Sequence, residues 1–160
     1  MFDRVLGIPA HPLYIHAAVV LVPLLALAAV LYAVWSASRR HIRWPLVVFA
    51  LSAPGATFFA KESGEAFSAN PAFQAPQMKA LIAEHEDYAD MLFRFVVLLA
   101  VVALVMAFMI PVAAGGRARI KAPAAAHWAA AGLAVVLSVV SMYYCYRTGD
   151  SGAHMVWSGF

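Results

Sequence analysis

The chain has 160 residues, of which 64% are hydrophobic and 12% charged, with a formal net charge of +3. Soluble domains carry about 25% charged residues, so this composition excludes a soluble fold with an ordinary polar surface. A lone cysteine, Cys145, excludes an intramolecular disulfide framework. The basic residues form no stripe interleaved with aromatics, so nucleic acid is not an expected partner.

The apolar residues fall in long blocks. No Asp, Glu, Lys or Arg occurs over residues 5–38, 44–60, 95–116 or 122–146. A helix crosses a bilayer core of about 30 Å with about 20 apolar residues. The second block is short, but its helix can borrow Lys61, whose long stem can snorkel to the interface. Membrane strands would alternate apolar and polar residues. Runs such as VVLVPLLALAAVLYAVW are instead apolar on every face. The amino terminus lacks a basic leader and its apolar run is too long for a cleaved signal peptide.

The first helix is predicted over 12–36. Pro12 suits a first helical turn, where its missing N–H has no partner to lose. Pro23 is expected to kink this helix, because its ring meets the carbonyl of Val19. A short connection over 37–43 carries Arg39, Arg40 and Arg43. The second helix is predicted over 44–65, with an irregularity at Pro54-Gly55. A loop over 66–75 follows, rich in turn formers. The third helix is predicted over 76–112. It opens as an amphipathic segment with Met78, Leu81, Ile82 and His85 on one face. A second short connection over 113–122 carries Arg117, Arg119 and Lys121. The fourth helix is predicted over 123–147, and a polar tail closes the chain. Ala29, Ala33 and Ala37, and likewise Ala126, Ala130, Ala134 and Ser138, form stripes of small residues of the kind that let helices pack closely in lipid.

The two short connections hold six of the eleven Lys and Arg residues and none of the eight acids. Lys and Arg near span ends are retained in the cytoplasm. Both connections are therefore expected inside, and both termini outside. The expected fold is an all-α, up-down four-helix bundle, a single multi-pass domain in a bacterial cytoplasmic membrane. A parallel repeat of two hairpins is a second reading. Each hairpin begins near a histidine and ends in a Ser-Gly element, Ser63-Gly64 or Ser151-Gly152.

This topology gathers polar groups from all four helices at the outer end. They include His11 and His16 on the first helix, and Lys61, Glu62 and Glu65 on the second. His85, Tyr88, Asp90 and Arg94 come from the third helix, and Tyr143, Arg147, Asp150 and His154 from the fourth. Polar side chains at membrane depth are costly and tend to face the bundle interior. Three functional readings compete. A transition metal (zinc, copper or iron) would take His16, His85 and Glu62 or Glu65, with His11 a further candidate. Asp90 and Arg94 would support such ligands from behind. A b-type haem would take His16 and His85 from two helices, with Arg94 and Arg147 near its propionates. A cofactor-free accessory subunit would use the acidic outer face to dock a partner. Each residue also has a structural reading. His11 would cap the first helix, Asp90 and Arg94 would pair at helical spacing, and Arg147 would anchor the fourth helix at the interface. No nucleophile elbow, phosphate loop or paired-acid pattern points to an enzyme.

Four segments together carry a resemblance. They are GIPAHPLYIH at 7–16, KESGE at 61–65, EHEDYAD at 84–90 and YRTGDSGAHMVW at 146–157. In order and spacing they resemble the domain-of-unknown-function 2231 family of predicted four-helix bacterial membrane proteins. Members are sometimes joined to Rieske-type iron–sulfur or cytochrome c domains. The resemblance therefore implies a respiratory or redox setting, with redox membrane proteins as partners. Many members have histidine where this chain has Asp150, which weakens a ligand role at that position.

Overall fold

A computed structural model describes residues 4–109 and 123–157. It opens with a two-stranded hairpin, β1 (Arg4–Val5) and β2 (Ile8–Pro9), paired antiparallel. Leu6 and Gly7 make its two-residue turn with φ of 51° and 85°. Both values lie in the left-handed region, which hairpin turns of this length require and glycine supplies without strain.

Four helices follow: α1 (Ala10–Val34), α2 (Arg39–Ser68), α3 (Pro76–Met109) and α4 (Ala124–Trp157). Each is long and apolar enough to cross a membrane. They form an all-α bundle of antiparallel neighbours. α2 packs against α1 and α3, and α4 packs against α3 and α1, so α1 and α3 face each other diagonally. The core is a ladder of small and aliphatic side chains, including Ala18, Val22, Leu25, Ala29, Leu92, Val96, Leu99 and Ala103. Ala29, Ala33, Ala134 and Ser138 from the small-residue stripes are buried in it, whereas Ala37 is exposed. Ser138 also bonds the α1 carbonyl of Ala26 at 3.4 Å. The outward faces are apolar as well, with Val20, Leu27, Leu51, Leu98, Val101 and Val139 each about half exposed or more. So extensive an apolar surface calls for lipid rather than water.

The helix ends differ from the sequence reading in ways their contacts explain. α1 begins at Ala10, ahead of Pro12, because a proline in the first turn gives up no intrahelical bond. α1 stops at Val34 and a 3₁₀ turn, Ser36–Ser38, leads directly into α2. There Ser38 Oγ donates to the carbonyls of Leu31 and Trp35, and Arg39 donates to those of Tyr32 and Ala33. These bonds satisfy the orphan carbonyls of a helix end and place a cation at its negative pole. α2 therefore starts five residues before Trp44, at Arg39, and runs through Pro45 and Pro54 to Ser68. α4 runs on through the expected tail to Trp157. The connection over 113–122 and the end of the third helix near Val112 lie outside the described residues.

Candidate functional site

The starts of α1 and α3 and the ends of α2 and α4 meet at one end of the bundle. Two imidazoles dominate it. His11 Nδ1 lies 2.9 Å from the Ala60 carbonyl and 3.3 Å from Ser63 Oγ, both on α2. His85 Nδ1 lies 2.9 Å from Ser151 Oγ on α4, with the Thr148 carbonyl beside it. A carbonyl only accepts, so His11 carries its proton on Nδ1. Ser63 donates to Ala60 O at 2.9 Å, and Ser151 donates to Thr148 O at 3.1 Å. Each hydroxyl proton is thus committed, and Ser151 Oγ can only accept from His85 Nδ1–H. Both neutral rings are therefore Nδ1–H tautomers with a lone pair on Nε2.

The two half-sites match residue for residue. Ala60, Ser63 and Gly64 serve His11 as Thr148, Ser151 and Gly152 serve His85. The glycines are required by contact. A Cβ on Gly64 would lie 2.9 Å from His11 Cε1, and one on Gly152 would lie 3.2 Å from His85 Cε1. The match continues down the bundle. Ala18, Val22, Leu25 and Ala29 follow His11 on the buried face of α1. Leu92, Val96, Leu99 and Ala103 follow His85 at the same offsets on α3. Ser63-Gly64 and Ser151-Gly152 thus surround the two imidazoles, and a residue-type search for ligands passes over them. Their signal in the sequence is the repeat itself.

The rings of His11 and His85 are neighbours at right angles, with centroids 6.5 Å apart and planes at 89°. They stand in a cavity of about 670 Å³ lined by all four helices. Drug-sized and cofactor-sized ligands occupy pockets of roughly 300–1,000 Å³. Its lining is mostly apolar, with Ile15, Ala18, Leu92 and Cys145, and Lys61, Glu65 and Asp90 add charge to it. Lys61 Nζ contacts Glu65 at 2.5 Å, Asp90 at 3.5 Å and Glu62 at 3.9 Å, tying α2 to α3.

Of the polar residues singled out from the sequence, His11, Lys61, Glu65, His85 and Asp90 line this cavity. His16 does not. It is exposed on the outer face of α1, with Nδ1 bonded to its own helix at the Pro12 carbonyl. The imidazole opposite His85 is His11, which does not act as a helix cap, because its side chain turns inward to α2. Glu62 contacts Lys61 rather than the cavity. Arg94 is exposed and lies 3.9 Å from Asp90. Arg147 stacks over Tyr88, bonds its hydroxyl and lies 3.7 Å from Glu84. Tyr143 packs edge-on against Tyr144, and His154 bonds the Asp150 carbonyl one turn back. None of these last residues reaches the cavity.

Among the described residues, no group of three or more His, Cys, Asp and Glu is placed to hold a metal ion. Neither Nε2 of the facing pair has a hydrogen-bond partner among them. The chain matches no protein-family model, no curated protein and no solved structure.

Proposed function

We propose that this chain is a multi-pass membrane protein that holds a b-type haem between His11 and His85 at the outer face and serves electron transfer there. The facing imidazoles carry the proposal. A metal–nitrogen bond is about 2 Å long. Two imidazoles sharing one metal on opposite sides therefore have ring centres roughly 6 Å apart, close to the separation of His11 and His85. Each ring donates Nδ1–H to fixed oxygen acceptors, the arrangement that orients a ligating histidine and raises its basicity. A bare zinc ion would want three or four protein ligands. A haem needs only two axial ones, because its macrocycle supplies the others.

The cavity suits such a macrocycle. Its apolar walls would take the hydrocarbon of the macrocycle, and its charged groups would meet the carboxylates. Haem bound there would supply one-electron redox chemistry. The protein's share is to fix both imidazoles, to exclude water through the apolar walls, and to set the local charge through Lys61, Glu65 and Asp90. This reading fits the redox setting that the resemblance to the domain-of-unknown-function 2231 family implies.

The decisive measurement is an absorption spectrum with elemental analysis on the full chain purified in mild detergent. A Soret band with stoichiometric iron and six-coordinate, low-spin features is expected. Stoichiometric zinc or copper without a Soret band would replace haem by a bare metal. Neither would leave the cofactor-free accessory subunit.

The orientation rests on the charge of the connections. Exposed Trp35, Trp44 and Trp128 at one end and Trp157 at the other suit the two membrane interfaces and leave the sidedness to charge. We place that end in the cytoplasm and both termini outside. A reporter active only outside the cytoplasm should be active when fused after Phe160 and inactive after Arg43. The reverse pattern would put the haem site on the cytoplasmic side.

A further inference from the structure

On the haem reading above, we infer that Lys61 is the residue that holds one haem carboxylate, and that the matching position, Gly149, leaves the other carboxylate unpaired. The correspondence of the half-sites defines the pair. Ala60 and Thr148 are equivalent acceptors beside His11 and His85, so the next residues, Lys61 and Gly149, are equivalent as well. Both line the cavity, and Lys61 is its only Lys or Arg among the described residues. The Asp and Glu residues of the lining are Glu65, Glu86, Asp87 and Asp90. A macrocycle lying along the axis between the two half-sites would direct its two carboxylates toward positions 61 and 149. An uncompensated carboxylate among four acids is repelled. Lys61, with its side chain 25% exposed, is the one cation that offsets this. Its ammonium donates to Glu65 and pairs with Asp90 at 3.5 Å and Glu62 at 3.9 Å, so a haem carboxylate would compete with these partners. Arg94 and Arg147 are held outside the cavity by Asp90, Tyr88 and Glu84.

Two consequences are measurable on the full chain loaded with haem in detergent. A cation near the macrocycle favours the reduced, less positive iron. Lys61→Met should therefore lower the midpoint potential and weaken haem binding about tenfold, the worth of one charge-assisted hydrogen bond. Lys61→Arg should restore both. Gly149→Lys adds the missing cation at a position where an added Cβ has open space. It should raise the potential and tighten binding. A Lys61 that only braces α2 against α3 would change the melting temperature of Lys61→Met while potential and affinity stay unchanged, and that result would overturn the assignment while leaving the haem reading intact. A wild-type protein that binds no haem would overturn both.

Discussion

Protein carrying His11→Ala should purify as a folded, membrane-inserted chain without a Soret band, and His85→Ala should behave the same way. His16→Ala should keep the full spectrum. The contrast follows from direction. His11 and His85 turn toward each other across the diagonal of the bundle, with both Nε2 lone pairs unclaimed. His16 points outward and bonds its own helix. Changes to groups that merely orient a metal ligand cost 10–100-fold in affinity. Removing an axial ligand should cost more than about a hundredfold. Reduced-minus-oxidised spectra of the three variants check this directly. Retention of a low-spin spectrum by His11→Ala, with loss in His16→Ala, would place the axial ligand one helical turn deeper and reject the half-site symmetry.

Gly64→Ala should weaken haem binding far more than its single methyl group suggests. The added Cβ would lie 2.9 Å from His11 Cε1, closer than real Cβ contacts allow. His11 cannot yield freely, because Nδ1 is fixed by Ala60 O and Ser63 Oγ. Overpacking of this kind costs about 1–3 kcal/mol, which corresponds to a loss of roughly 5- to 150-fold in affinity. Gly152→Ala, with a 3.2 Å contact on His85 Cε1, should fall at the mild end of that range. Haem titration of apoprotein gives both numbers. Equal, unchanged affinities would mean that the imidazoles move on binding.

The four long helices, and the gathering of polar groups at one end, were legible because charge is scarce and unevenly placed. The particular histidine was not. α1 is apolar on every side, so nothing in its sequence separates the face toward lipid from the face toward the core. Offsets from known buried positions would separate them. Ala18, Val22 and Leu25 lie on the face of His11, whereas exposed Val20 and Leu27 follow His16. That distinction needs the packing first. The His11-Pro12 pair also misleads, since proline biases its predecessor toward extended backbone. Here His11 is already helical. The tail reads as irregular because Gly149 and Gly152 are breakers by habit. In the structure Gly152 stays within α4 because His85 occupies the space a side chain would take.

The doubled half-site bears on how a guest can lie in it. Haem has different substituents on its two flanks, while its host offers an equivalent imidazole, serine and glycine on both. On the proposed reading, the macrocycle can enter in either of two senses related by a half-turn, with the iron and both axial nitrogens unchanged. Among the apolar cavity walls, one departure from equivalence lies one turn below each ligand, where α1 has Ile15 and α3 has Ala89 at the matching offset. That difference in bulk, remote from the metal, would then set the ratio of the two rotational isomers, and exchanging the two residues would invert it.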